Sequence, residues 1–431
     1  MQNFVELPPL VRRDESKHVM VIGAGAVGLS SALWLQKSGH KVTIFDIQPP
    51  DENASYEHAC SFGNACTLAV SACIPIATPG ILPKVPGMLM DRRGPLSIFW
   101  GDLPKLTPWL MSFVKASTTS EVSRIVGTLG TLLRYAYKGH EPLIEDANLS
   151  HLLHKTGAMY LYRNQKEYES AKYMIEFQKR ENVNLEIVDS KKIQEMEPNL
   201  KPSGYYNGVS YKDEYVIDTP HKFMLGLARR FRENGGTFVK GEVTNIEHHS
   251  NHVTVCVGND KYNGDNVVVA SGAWSARLAE MVGDRIRLDT ERGYHVLFPN
   301  DGHKLSRPVC FPSYGFYITP LSEGLRVAGT VELGGLGQPM REVRTEIIES
   351  RVKDLVQDLG HVSRKWLGFR PSMPDSLPVI GASPKNPRVI YAFGHGHLGV
   401  TMAGITGRLV SDIVDKRPLP FDLYPLRPDR Y

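Results

Sequence analysis

The sequence predicts an α/β protein in which a domain built on a parallel sheet is interleaved with a second, α+β domain. Three stretches carry that expectation. Residues 19–35 form an apolar strand run that breaks into Gly23-x-Gly25-x-x-Gly28 and resumes as a helix. Residues 266–275 repeat the theme far downstream, as a valine-rich strand run ending in small residues. Between them, residues 118–198 mix helix and strand in a way that departs from the opening β-α-β unit.

Each part of that Rossmann-like unit has a physical job. Gly23 permits the tight strand-to-helix turn, Gly25 lets the backbone approach a pyrophosphate, and Gly28 lets helix and sheet pack closely. The free N–H groups and dipole of the helix N-terminus favour phosphate. The helix buries Val27, Leu29, Ala32, Leu33 and Leu35 and stops at Ser38-Gly39-His40. The strand that follows ends in Asp46, eighteen positions after Gly28, where a carboxylate accepts hydrogen bonds from ribose hydroxyls.

Composition excludes several classes. A chain of 431 residues calls for two domains, and 42% hydrophobic with 22% charged residues describes an ordinary globular protein. A net charge of +4 without a basic block gives no footing for nucleic acid. The five cysteines (Cys60, Cys66, Cys73, Cys256, Cys310) form no CxxC pair, which argues against disulfides and a metal site and for thiols packed beside a ligand. The N-terminal segment, with Glu6, Arg12, Arg13, Asp14 and Glu15, is not expected to be a signal peptide, and no apolar run reaches a membrane span. A soluble cytoplasmic protein is expected, peripheral on the inner face of the membrane at most.

Along the chain, Cys60-Ser-Phe-Gly-Asn-Ala-Cys66 either lets backbone run against a flat ligand or forms a plain loop. Residues 74–109 carry Pro75, Pro79, Pro83, Pro86, Pro95, Pro104 and Pro108, a density expected to exclude regular helix and strand and to leave a long irregular cover. Its apolar pieces at 88–90, 98–100 and 109–111 are expected to pack on the body, with membrane contact as the alternative. The spacing of Val122, Ile125, Val126, Leu129, Leu132, Leu133 and Ala136 predicts an amphipathic helix. A strand at 156–162, a helix at 165–179 and a short helix stopped by Pro198 follow. Pro220 opens a helix that Gly235-Gly236 ends, with Phe223, Leu227, Ala228 and Phe231 buried. Strands are predicted at 237–239, 242–247 and 252–257, then a turn at Asn263-Gly264 and the run to Ser275. Residues 297–332 alternate strands and turns, and helices are predicted at 342–359 and 405–414.

Gly23-x-Gly25-x-x-Gly28 with Asp46, the Val-Val-Val-Ala-Ser-Gly-Ala-Trp-Ser run, Gly368-Phe-Arg-Pro with Pro378-Val-Ile-Gly, and Gly394-His-Gly-His-Leu-Gly399 together resemble the FAD-dependent D-amino-acid oxidoreductase family. The likeness runs from about residue 17 to 415. It is nearest to the bacterial D-amino-acid dehydrogenase and D-hydroxyproline dehydrogenase branch. The resemblance implies a Rossmann-like FAD-binding domain in three pieces (17–90, 211–285, 368–431), and a substrate domain on a mixed β-sheet in two (91–210, 286–367). It implies that Gly23, Gly25, Val27, Gly28 and Asp46 hold the ADP half of non-covalent FAD, and that Ser61, Gly63, Asn64 and Ala65 line the flavin. Val243 would meet the adenine, while Ser271, Gly272 and Trp274 would follow the pyrophosphate and ribityl. Gly396, His397, Leu398, Gly399 and Thr401 would approach the pyrimidine end of the flavin, where backbone N–H groups stabilise negative charge.

Arg370 matches the arginine that pairs with the substrate carboxylate, a role suited to a planar, permanently charged fork. Tyr294, Tyr317 and His295 are the other candidates for shaping the substrate pocket, or are simply packed in a sheet. His395 and His397 could suggest a metal pair, but flanking glycines favour backbone contacts to flavin. The implied reaction is hydride transfer from Cα of a D-amino acid, or a proline-like imino acid such as D-hydroxyproline, to flavin N5. Electrons would pass to a quinone or respiratory acceptor through peripheral membrane contact or a partner subunit. The alternatives are an O2-using glycine or sarcosine-type oxidase, and a flavoprotein subunit acting mainly in electron transfer.

Overall fold

The computed structural model describes residues 4–12, 15–51 and 56–431. Arg13, Asp14 and most of the polar turn after Pro50 lie outside the described residues. Two large sheets organise the rest. The first has the order Thr237–Lys240, Lys41–Asp46, His18–Ile22, Asn266–Val269, Val389–Phe393, Val379–Ala382. Its first five strands are parallel and the last is antiparallel. Side-chain alternation splits each strand between two cores. Val19 and Val21 join Ile44 and Val268 under the helices Ala26–Lys37, Pro220–Glu233 and Gly399–Val414. Met20 and Ile22 face the opposite way, toward an antiparallel meander of Val243–His248, Val253–Val257 and Asp260–Gly264.

Glycines set how closely the helices pack. A Cβ on Gly139 would lie 2.3 Å from the Ile405 nitrogen, and one on Gly404 2.5 Å from the Gly139 carbonyl carbon. The long helix Thr119–Asp146 therefore crosses Gly399–Val414 backbone to backbone, and Gly139 accepts the Trp34 indole N–H at 3.1 Å.

The second sheet has nine strands. Its main path is Arg364–Ser372, Asp289–Phe298, Gly324–Leu333, Phe316–Leu321, Val309–Phe311, Ala158–Tyr162, Asn207–Tyr211, Leu185–Asp189, and Leu96–Ile98 pairs beside Gly324–Leu333. It is mixed, because Val309–Phe311 runs parallel to Ala158–Tyr162 while most other pairs are antiparallel. Its strands come from chain segments on both sides of Thr237–Lys240 and Asn266–Val269 of the first sheet, so the two parts are interleaved.

Three expectations need correction. Residues 74–109 are not irregular throughout: they hold a short helix Val85–Met90, the strand Leu96–Ile98 and the start of the helix Leu103–Ala116. Pro86 and Pro104 sit in first turns, where no N–H is needed, and the Leu103–Ala116 helix tolerates Pro108 inside it. Asn263-Gly264 is no turn but the end of a strand. The hairpin turns instead at Gly258-Asn259, where Gly258 supplies φ +57° and Val257 pairs with Asp260. The last helix begins at Gly399, six residues before Ile405, because the glycine-rich lead-in itself turns helical. The strands Asn207–Tyr211 and Arg364–Ser372 pair along their length within the larger sheet.

Candidate active site

A cavity of about 1200 Å³ lies between the two sheets. At one end the strand His18–Ile22 delivers Gly23, Gly25, Ala26 and Val27 to its wall. Gly23 has φ +105°, and a Cβ there would meet the Ala270 carbonyl oxygen at 2.5 Å. Gly25 is the N-cap of the Ala26–Lys37 helix and has no capping side chain, so first-turn N–H groups remain for an anion. A Cβ on Gly25 would find only Ser61 Oγ, at 3.9 Å, so the space beside it is open. Asp46 closes this end. Its Oδ2 accepts the Ala24 N–H at 2.7 Å and its Oδ1 the Gln48 N–H at 2.8 Å, and it still lines the cavity, with lone pairs left for hydroxyl donors. Val243, Ser271, Gly272 and Trp274 continue the same wall.

At the other end Arg370 projects from the Arg364–Ser372 strand. Its Nη1 donates to the Thr330 carbonyl at 2.9 Å, and its guanidinium passes over Gly293. A Cβ on Gly293 would lie 2.2 Å from Nη2 and 2.3 Å from Cζ. Gly293→Ala is therefore expected to displace the guanidinium with little effect on folding, because the obstructed group is the end of a flexible side chain. Steady-state kinetics should show KM raised and kcat/KM lowered by up to about a hundredfold, with the melting temperature nearly unchanged.

The groups around Arg370 carry little competing positive charge. His397 opens onto the cavity, yet its pKa is lowered to about 4 by burial and then by Arg370. His395 is lowered to about 3 by burial, and its Nε2 shares a hydrogen bond of 2.9 Å with Thr406. Both imidazoles are neutral near pH 7. Burial pushes the Cys60 thiol up to about 11 against the pull of Arg370, so it is protonated. Ser61, Gly63, Asn64 and Ala65 line the cavity, as do Gly396 and Gly399. A Cβ on Gly63 would strike the Trp366 ring at 2.2 Å, so glycine lets this loop lie flat on the indole.

Tyr317, Tyr160 and Cys310 form the far wall, with the two tyrosine hydroxyls hydrogen-bonded to each other. Behind them sits Glu214, buried, with Oε1 accepting the Ser71 hydroxyl and Oε2 without a hydrogen bond. Burial raises its pKa to about 7, opposed by the Ser71 hydrogen bond. A carboxyl whose folded pKa is raised stabilises the fold fully below its unfolded value and loses that contribution as pH rises through the folded one. Between pH about 5 and about 8, wild type should therefore lose more thermal stability than Glu214→Gln does, and parallel melting curves for the two would refute this.

The cavity thus gathers most of the residues singled out from sequence, and four stand apart. Gly28 faces the turn, where a Cβ would come within 1.9 Å of the Gly23 carbonyl oxygen, so its part is packing. Leu398 is core, and Thr401 ties two backbones together by accepting the Ala69 N–H at 3.0 Å and donating to Thr67. His295 is buried behind the wall, stacked on Trp366 with Nδ1 3.1 Å from the Gly63 carbonyl, so it supports the Gly63 loop. Tyr294 reaches the cavity, but its hydroxyl is committed to Glu332 at 2.5 Å. Sequence reasoning missed Glu291, Tyr160 and Trp366, all on the cavity wall. The Glu291-Arg-Gly293 triplet was the available signal, since it sets an acid two positions before a glycine near the start of a strand that ends apolar.

An uncapped helix start, a glycine turn with no room for a side chain and an acid at the next strand end have the chemistry that suits a dinucleotide. The open cavity leading from there to Arg370 has room for a flat ring system and a small substrate. These features fit FAD, which, when bound, supplies a two-electron acceptor. The chain belongs to the DAO family of FAD-dependent oxidoreductases, whose model matches residues 18–413. It is 34% identical to a D-amino-acid oxidase of Bradyrhizobium diazoefficiens over 426 residues, 97% of this chain and 99% of that one. It is 30% identical to a D-amino acid dehydrogenase of Xanthobacter autotrophicus, covering 96% and 99%. Among solved structures it is similar to glycine oxidase from Geobacillus kaustophilus, with TM-score 0.74, 22% identity and coverage of 96% and 99%, a likeness of fold. All five cysteines are free, and among the described residues no His, Cys, Asp and Glu group forms a metal cluster. No helix among them is long and apolar enough to cross a membrane.

Proposed function

We propose that the protein oxidises the Cα–N bond of a D-amino acid, or of a proline-like imino acid such as D-hydroxyproline, and passes the electrons to an acceptor other than oxygen. The observation that carries this reading is Arg370, set on the cavity wall with its guanidinium anchored through one nitrogen to Thr330. That leaves a planar, charged fork for a carboxylate. The names of the relatives support the D-amino acid. In this reading the residues of the first sheet and its helices hold FAD. The nine-stranded sheet presents Arg370, Tyr317 and Tyr160 to the substrate, and the Gly63 loop and Gly396-His397 close on the flavin from either side. The protein's own work is to fix the carboxylate and keep water away from the reacting carbon. A quinone or respiratory acceptor, reached by peripheral docking or through a partner subunit, belongs to the same proposal.

A second reading, an oxidase, is favoured by the name of the 34% identical relative. Ammonia and 2-oxo acid release should be measured from D-amino acids, and the cyclic imine from proline-like imino acids, with an electron-accepting dye under nitrogen and with oxygen alone. Turnover with dye that greatly exceeds turnover with oxygen supports the dehydrogenase. Equal rates support the oxidase, and no product from any amino or imino acid refutes both.

A further inference from the structure

Glu291 is a buried carboxylate on the cavity wall that the carboxylate clamp does not use. It sits on the Asp289–Phe298 strand directly across from Arg370, so the two side chains leave the sheet on the same face. Among the described residues no carboxylate lies within ion-pair distance of the Arg370 guanidinium, which is tied to Thr330 instead. Building on the proposed function, we propose that Glu291 receives the substrate's amino group and takes a proton from its ammonium form. An α-amino acid carries its ammonium and its carboxylate on one carbon, and this wall offers a cation and an anion on neighbouring strands.

The step is a proton transfer that balances by itself: a substrate N–H bond breaks and an O–H bond forms on the Glu291 carboxylate. It leaves the nitrogen lone pair that a Cα–H hydride donor needs. The surroundings favour it once substrate is bound. Burial raises the Glu291 pKa, while Arg370 and a hydrogen bond from Ser372 hold it down and Asp289, on the same strand, adds to the rise. Asp102 faces Asp289 from the neighbouring helix start. Cys60 and His397 face Arg370 from two loops, one an uncharged thiol and the other a neutral imidazole. On the opposite face Arg292 and Arg341 are paired with Glu332. A substrate carboxylate on Arg370 cancels the main charge that holds Glu291 ionised, and burial of the ammonium lowers its own pKa. Both shifts send the proton to Glu291.

The test compares two unreactive ligands of one shape. α-Aminoisobutyrate has the ammonium and no Cα–H, and pivalate replaces the ammonium with methyl. Binding to the FAD-loaded protein is read from perturbation of the flavin spectrum in wild type, Glu291→Gln and Glu291→Asp. Wild type is expected to prefer α-aminoisobutyrate by roughly tenfold or more. Glu291→Gln should lose that preference while binding pivalate as well as wild type, and Glu291→Asp should keep part of it. The acidic limb of the pH profile for anaerobic flavin reduction should also move upward in Glu291→Gln. An unchanged preference in Glu291→Gln, or equal loss of both ligands, overturns the proposal, the second outcome marking Glu291 as a mere support for Arg370. If neither ligand binds wild type and no amino acid reduces its flavin, the proposed function itself fails.

Discussion

Arg370→Ala should lower kcat/KM for an amino acid by roughly 30- to 4,000-fold, the equivalent of about 2–5 kcal/mol for truncating one partner of a buried, hydrogen-bonded charge pair. The reason lies in what the cavity lacks without it. His395 and His397 are held neutral near pH 7 by burial, so they offer no substitute cation to a carboxylate. Arg370→Lys should recover only part of the loss, because an ammonium on a flexible stem cannot make the two parallel bonds of a guanidinium. Folding and flavin content should survive both changes, since among the described residues the guanidinium's one hydrogen bond goes to the Thr330 carbonyl. Steady-state kinetics beside the flavin-to-protein absorbance ratio check both halves. Loss of flavin together with activity would assign Arg370 to the scaffold.

Gly23→Ala has the second large effect, on the cofactor and the fold together. Its φ of +105° is costly for any residue with a Cβ, by about 1–2 kcal/mol, and the added methyl would press on Ala270 and Ser271 backbone that cannot swing aside. The strand Asn266–Val269 next to it is a central member of the parallel sheet. The variant should be isolated largely without FAD and melt lower than wild type. Gly25→Ala separates the two effects. Its Cβ has room in the protein, so it should fold normally and lose affinity for FAD alone. Flavin fluorescence during heat release of the cofactor, with melting curves of the apoproteins, distinguishes them. Equal stability of the two apoproteins would show that Gly23 serves only the ligand.

The opening strand, glycine turn, helix and second strand were legible because local chemistry dictates them. A strand, a turn that only glycine can make, a helix start and a terminal acid lie within thirty residues, and each constrains its neighbours. Amphipathic helices such as Thr119–Asp146 were legible for the same reason, through a periodic apolar stripe. The substrate end was not, because it is assembled by long-range strand pairing. Glu291 meets Arg370 only because strands some eighty residues apart pair in one register, and Tyr160 meets Tyr317 across two others. His295 illustrates the converse: histidine in a strand near the site suggested chemistry, and its ring turned out to brace Trp366. The proline-rich segment misled because proline forbids helix interiors far more than helix first turns.

The central claim, that one cavity holds FAD while Arg370 pins a carboxylate-bearing substrate beside it, is met most directly by an anaerobic titration of the oxidised-flavin absorbance band. The additions are a D-amino acid, its L enantiomer and the amine left when the carboxylate is removed. Bleaching by the D-amino acid alone is the predicted result. An amine that bleaches the flavin as fast as its parent amino acid would contradict the clamp, and a faster L enantiomer would contradict the assigned handedness.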